Sequence, residues 1–342
     1  MLTTDIERLW EALGVGVTGL TKPGYLLRRV SATCNADLFV ALKYPEGYRA
    51  LVLRAPVETL PDRKELPETR GLVVFSERLR DDEEGYGSVI VQLRETAFVE
   101  TFLAFVSVLA TRICTCDTPA RAVVELVSQL VRWQRFLEMH SEGLGDEAQR
   151  GLYGELRVLR SLLAATGDPR LVAGWTGPSG APQDFRFEGG MAVEVKTSIS
   201  PEPQSIRING ERQLDDAGLS RLYLVSMSID RLPAGGEKLP DLVRSVRGML
   251  QDHPLQLDGF DALLLEAGYV GLHEQRYNAD GFTVRNERTF KVQSGFPRLV
   301  EADMPEGVGQ ISYRVSLSAC AGFAVPLAEV VDAIRAGTRK GN

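Results

Sequence analysis

A chain of 342 residues, 44% of them hydrophobic and 25% charged, is composed like a folded globular protein and is long for a single domain, so two or three compact units are expected. Its formal net charge of −7 excludes a protein that coats nucleic acid non-specifically, but not one whose acids hold cations. Four cysteines (Cys34, Cys114, Cys116 and Cys320) make no disulfide scaffold, and the pair Cys114 and Cys116 has no second Cys/His pair nearby to complete a zinc site, so reduced thiols in the cytoplasm are expected.

The opening MLTTDIERLWEALGVG carries acids where an export signal needs a basic start and an apolar core, and it reads as an amphipathic helix. The runs YLLRRVSA, DLFVALKY, RALVLRAP, GLVVFSERL and GSVIVQLR then alternate like strands, and a helix over about 96–112 closes an N-terminal α+β domain spanning 1–116. The most apolar stretch, FLAFVSVLATRIC at 102–114, is shorter than the ~20 residues that cross a bilayer and contains Arg112. It reads as a buried helix, and no membrane partner is expected. Thr118-Pro119 opens a helical linker, 117–145, with Val123, Leu126, Val127, Leu130 and Trp133 at helical spacing and the acidic HSEGLGDE as its closing loop or hinge.

From Asp146 the order becomes helix, strand, strand, helix, strand. The helix DEAQRGLYGELRVLRSLLAATG stops at Gly167, and QDFRF and MAVEVKT are the strands. NGERQLDDAG reads as a short helix between Asn209 as N-cap and Gly218 as stop, and RLYLVSMSI is the next strand. These pieces make a core over 146–235. Residues 236–342 read as a C-terminal α+β extension, with helices over about 240–252 and 255–267 and strand-like runs around FTVRNERTFKV and ISYRVSLS.

The charged strand in that core raises the functional question. In MAVEVKT, Ala192, Glu194 and Lys196 share one face and Met191, Val193 and Val195 the other; in QDFRF, Asp184 and Arg186 oppose Phe185 and Phe187. A three-residue loop, Glu188-Gly189-Gly190, would set Asp184 across from Glu194 on one face, whereas a two-residue Gly189-Gly190 loop would set Glu194 against Phe185 and split the acids. Two carboxylates so close repel, and a divalent cation between them answers the repulsion. A hard ion such as Mg²⁺ takes carboxylate and carbonyl oxygens, so Asp184, Glu194 and the backbone carbonyl of Val195 would supply the protein's share of its shell. Lys196 would then orient or deprotonate the attacking water, or stabilise charge building on phosphorus. Glu155 borders the apolar ridge of the preceding helix and would join the acids, or else pair with Arg157 or Arg160. Gln213, after the strands, would offer an amide to water or phosphate.

These pieces, GLYGELRVL with Glu155, APQD with Asp184, VEVKTS with Glu194 and Lys196, and ERQLDDAG with Gln213, resemble the PD-(D/E)xK nuclease superfamily. More narrowly, GLYGEL with this spacing resembles a bacterial family of uncharacterised members associated with restriction-modification and phage-defence loci. One departure is that Gln183 stands between Pro182 and Asp184, where the simplest motif has proline directly before the acid. The resemblance implies an α/β restriction-endonuclease-like core, α+β overall, with a central mixed sheet flanked by helices. It also implies a Mg²⁺-dependent endodeoxyribonuclease, with Mn²⁺ as a substitute, that leaves a 5′-phosphate. Asp184, Glu194, Val195 and Glu155 would bind the metal, and Glu155, Asp184, Glu194, Lys196 and Gln213 would be catalytic. The alternative is a non-catalytic nucleic-acid-binding or scaffold subunit. Expected partners are DNA, a methyltransferase or ATPase of the same defence system, and a second copy of the chain.

Other residues read as structural. Residues 151–230 hold 8 Lys and Arg against 10 Asp and Glu, so Arg157, Arg160, Arg207, Arg212 and Arg221 read as solvated surface. His140, His253 and His273 match no ligand spacing. Trp133 and Trp175 read as packing, and GWTGPSGAP lacks the lysine and Ser/Thr of a phosphate loop.

Overall fold

The computed structural model describes residues 3–14, 23–67, 71–139, 143–199, 205–233 and 235–338. His140 and the start of the acidic loop after the linking helix lie outside them. Contacts divide the chain into two units, Met1–Glu142 with Val270–Leu272, and Gly143–Tyr269 with His273–Asn342. The linking helix falls in the first unit; most of residues 236–342 fall in the second, together with the core read over 146–235.

In the first unit the strand-like runs become β1 (Gly24–Arg29), β2 (Asp37–Tyr44), β3 (Tyr48–Pro56), β4 (Leu72–Glu77) and β5 (Tyr86–Leu93), an antiparallel sheet in the order β1-β2-β3-β5-β4. Its helices are α1 (Thr3–Gly14), α2 (Val99–Ile113) and α3 (Pro119–Met139). Val123, Leu126, Leu130 and Trp133 of α3 are buried, as the helical spacing requires, and Trp133 stacks on Phe105 of α2. Trp10 of α1 stacks on Phe102 and donates its indole N–H to the carbonyl of Ala41, 2.9 Å away. One expectation fails here: Cys34 and Cys114 form a disulfide, while Cys116 and Cys320 are free. The two partners are 80 residues apart, so no local spacing announces the bond.

The second unit contains α4 (Asp146–Thr166), β6 (Phe185–Phe187), β7 (Met191–Ser198), β8 (Ser205–Ile208), β9 (Arg221–Pro233), α5 (Leu239–Leu250), α6 (Pro254–Glu266), α7 (Glu274–Tyr277), β10 (Asp280–Val292), β11 (Tyr313–Ser316), β12 (Ala324–Val325) and α8 (Leu327–Thr338). Its main sheet runs β12-β10-β9-β7-β6; β7 and β9 are parallel and the other pairs antiparallel. This is the expected α+β fold with a central mixed sheet. Successive residues of β7 and β9 point to opposite faces, which divides the core in two. On one face Val193, Val195, Tyr223 and Val225 bury against Leu152, Leu156 and Leu159 of α4, Leu242 and Val246 of α5, and Val330 and Ile334 of α8. On the other, Ala192, Leu222 and Leu224 meet Ile206, Ile208 and Val315 of a two-stranded ribbon, β8 with β11.

The short helix expected over 209–218 does not form; the segment is a run of turns. Local side-chain bonds compete with the helical ladder there: Gln213 accepts from the N–H of Asn209 at 2.8 Å, and Asp215 accepts from the N–H of Ala217 at 2.9 Å. Among the described residues no helix is long and apolar enough to cross a membrane.

Candidate active site

The hairpin register decides which acids meet. β6 and β7 pair Phe185 with Val193, Arg186 with Ala192 and Phe187 with Met191. That is the register of the three-residue loop Glu188-Gly189-Gly190, so Asp184 comes to the level of Glu194. β6 is short, which leaves the edge of β7 beyond Val193 without a neighbouring strand. The Asp184 carboxylate takes the vacant place: its Oδ2 accepts from the N–H of Val195 at 2.7 Å. In an extended strand a residue's C=O points to the same edge as its N–H, so the carbonyl of Val195 is directed toward the side that Asp184 occupies.

The backbone of Asp184 is fixed from the glycine-rich stretch before it. Its carbonyl accepts from the N–H groups of Thr176 and Gly177 at 2.8 and 2.9 Å, and Trp175 bridges to Phe185. The departure from the simplest motif, Gln183, is buried. Its amide donates to the carbonyl of Arg212 at 2.6 Å and its oxygen accepts from Arg186 Nε at 3.1 Å, tying the hairpin to the turns after β8.

Glu155 reaches this edge from α4 because Gly154 lets the helix lie close to β7. A methyl group at Gly154 would come within 2.2 Å of Thr197 Cγ2, and Thr197 in turn donates to the carbonyl of Arg150 at 3.1 Å. Glu155 pairs with neither candidate arginine: Arg160 binds Glu237, and Arg157 lies 3.9 Å from Glu287. Its Oε2 instead accepts the indole N–H of Trp175 at 2.8 Å. Trp175 is buried, as a packing role requires, but it also holds the first acid, which the sequence reading missed; the signal was a lone indole donor inside a glycine-rich segment that runs directly into the aspartate.

Gly177 occupies the space between two of the acids. A Cβ there would sit 3.0 Å from Glu155 Oε2 and 3.1 Å from Asp184 Oδ1, which places those oxygens within about 6 Å of each other. Glu194 is fully buried; its Oε1 is ion-paired with Lys196 Nζ at 2.7 Å, and its Oε2 has no hydrogen-bond partner. Glu155 and Asp184 are half-buried as residues, and 17% of the Lys196 side chain is exposed, so the cluster lies close to the surface.

The electrostatics follow from crowding like charges out of water. Burial, then the charge of Asp184, pushes the Glu155 carboxyl up to about 8, against the opposing pull of the Trp175 N–H and Lys196. Burial raises Asp184 too, opposed by the Val195 N–H and Lys196. Glu194 is raised well above the usual carboxylate range by burial and by Asp184, with Lys196 opposing and Glu155 adding to the rise. Glu155, Asp184, Glu194 and Lys196 therefore act on one another. Gln213 accepts from the N–H of Asn209 through its side-chain oxygen, and its backbone carbonyl lies 3.5 Å from the amide of Gln183, the neighbour of Asp184.

Among the described residues, no group of three or more His, Cys, Asp or Glu side chains is placed to hold a metal ion by itself. The donor chemistry still fits a hard cation that keeps several waters: the carboxylates of Asp184 and Glu194, the latter with its Oε2 unpartnered, the directed carbonyl of Val195, and a space between Glu155 and Asp184 that a single methyl group would fill.

Residues 6–318 match a family model described as "Putative PD-(D/E)XK family member", DUF4420, and the chain belongs to that family. Its fold is nuclease-like. Among curated proteins and among solved structures, none matches the chain.

Proposed function

We propose that the chain is a divalent-cation-dependent nuclease that hydrolyses DNA phosphodiester bonds through Glu155, Asp184, Glu194 and Lys196. The observation that carries this reading is Glu194, a fully buried carboxylate ion-paired with Lys196 at 2.7 Å through Oε1, with no partner for its Oε2 and two further acids beside it. Burying this ion pair beside two further acids, with one carboxylate oxygen left without a donor, costs about 1–3 kcal/mol or more, a cost that packing alone gives no reason to retain. Asp184, Glu194 and the Val195 carbonyl would hold Mg²⁺ or Mn²⁺, with Glu155 beside them. The bound cation would supply positive charge that keeps the carboxylates ionised, and Lewis acidity toward the scissile phosphate and its attacking water.

The remaining chemistry belongs to the chain. Lys196, held by Glu194 and partly open to solvent, is the ammonium nearest the acids; it orients the water or offsets the charge that builds on phosphorus during attack. Trp175 and the Val195 N–H fix one oxygen each of Glu155 and Asp184, so both carboxylates meet the substrate already oriented. A restriction-modification or phage-defence setting, with a methyltransferase or ATPase partner and a homodimer for double-strand cutting, belongs to the same reading and rests on the sequence resemblance.

The test is plasmid nicking by the full chain with added Mg²⁺ or Mn²⁺, alongside Glu194→Ala and Lys196→Ala. Metal-dependent cutting by the wild type that both variants lose, with an unchanged fold by circular dichroism, is expected. Cutting that survives either substitution would remove the assignment; a wild type that binds DNA but neither takes up metal nor cuts would be the non-catalytic subunit instead.

A further inference from the structure

The β8–β11 ribbon has one face to spare. Ile206, Ile208 and Val315 turn inward to pack on Ala192 and its neighbours, which leaves Ser205, Arg207, Arg314 and Ser316 on the outer face. Arg207 and Arg314 are directly paired across the strands. Like charges in that position have side chains about 5 Å apart at their roots and repel. Among the described residues neither arginine is ion-paired with an acid; Arg207 donates to the Ser312 hydroxyl and Arg314 to Ser205. The ribbon is also tied to the candidate active site. It covers the face of β7 that carries Glu194 and Lys196, and Gln183, next to Asp184, bonds the turn that leaves β8.

From this juxtaposition we infer that the β8–β11 ribbon is the surface that grips the sugar-phosphate backbone of duplex DNA, with Arg207 and Arg314 as its phosphate contacts. The inference rests on the nuclease reading for its choice of partner. Two guanidinium groups that meet no acid among the described residues, each beside a hydroxyl, match phosphate oxygens in charge and in donor chemistry. They stand out in a chain of net charge −7, which gives no general attraction to a polyanion. A two-stranded ribbon is also an element that a DNA groove admits.

The experiment measures binding of a short fluorescent DNA duplex to the full chain by anisotropy, with Ca²⁺ in place of Mg²⁺, across about 50–200 mM salt. Each lost phosphate contact should flatten the plot of log affinity against log salt by about 0.9, so Arg207→Ala/Arg314→Ala should be shallower than wild type by nearly two and bind more weakly. Arg207→Lys/Arg314→Lys keeps the charge and should keep the slope. An alanine pair with wild-type affinity and slope would overturn the inference even if the wild type cuts DNA. Arginine-dependent binding by a wild type that never cuts would leave the inference standing and remove the nuclease reading. Binding of an acidic peptide, but of no duplex, would overturn the inference.

Discussion

In the metal-free protein the buried acids should make stability fall as pH rises. A carboxyl whose folded-state pKa lies above its unfolded value contributes stability that is fully present below the unfolded pKa and is lost as pH climbs to the folded one. For Glu155 the window runs from the ordinary glutamate value of 4.5 to about 8. At about 1.4 kcal/mol per pH unit, the loss between pH 4.5 and 7 is on the order of 3 kcal/mol, an upper bound because Glu155 keeps a path to solvent. Asp184 and Glu194 shift in the same direction and add to it. The chain has three tryptophans, so Trp10→Phe/Trp133→Phe leaves Trp175, beside Glu155, as the fluorescent reporter of the second unit. Urea unfolding in EDTA should then show stability declining from pH 5 to 8, and Glu155→Gln, which cannot ionise, should reduce the slope. Saturating Mg²⁺ should flatten it, since the cation competes with the protons. Stability that is level or rising over that window in EDTA, or an unchanged slope in Glu155→Gln, would refute the argument.

Three other outcomes are expected. Gly177→Ala puts a methyl group 3.0–3.1 Å from two carboxylate oxygens and should abolish Mn²⁺ uptake by calorimetry while leaving the circular dichroism spectrum unchanged. Trp175→Phe keeps an aromatic ring but removes the N–H that draws Glu155 downward, so the acid limb of the pH–rate profile should move to higher pH, with a stability loss of about 1–3 kcal/mol. Gly154→Ala should cost about 1–3 kcal/mol through its 2.2 Å approach to Thr197 Cγ2, and Thr197→Ser, which removes that methyl and keeps the hydroxyl bond to Arg150, should restore most of the loss in the double variant.

What the sequence made legible was local. Period-two alternation in MAVEVKT put Glu194 and Lys196 together, and the count of loop residues in EGG made the register that meets Asp184 one of two choices, of which the structure takes the first. The apolar stripe of α4 carried Glu155 inward in the same way. What was hidden depends on contacts between distant segments. Trp175 reads as packing until α4 is placed beside it; the Cys34–Cys114 bond spans 80 residues; and α8, which buries Val330 and Ile334 against the nuclease-like core, went unnoticed in the sequence reading. NGERQLDDAG misled for the opposite reason. Its polar residues read as helix caps, but here Gln213 and Asp215 bond nearby backbone N–H groups as turns instead.

The most direct measurement of the central claim is anomalous diffraction from crystals of the full chain grown with Mn²⁺. The account expects a peak bounded by Asp184 Oδ1, a Glu194 carboxylate oxygen and the Val195 carbonyl, lost in Glu194→Gln. A well-ordered site with no peak there, at Mn²⁺ concentrations that support nicking, or a peak held by other residues, would contradict it.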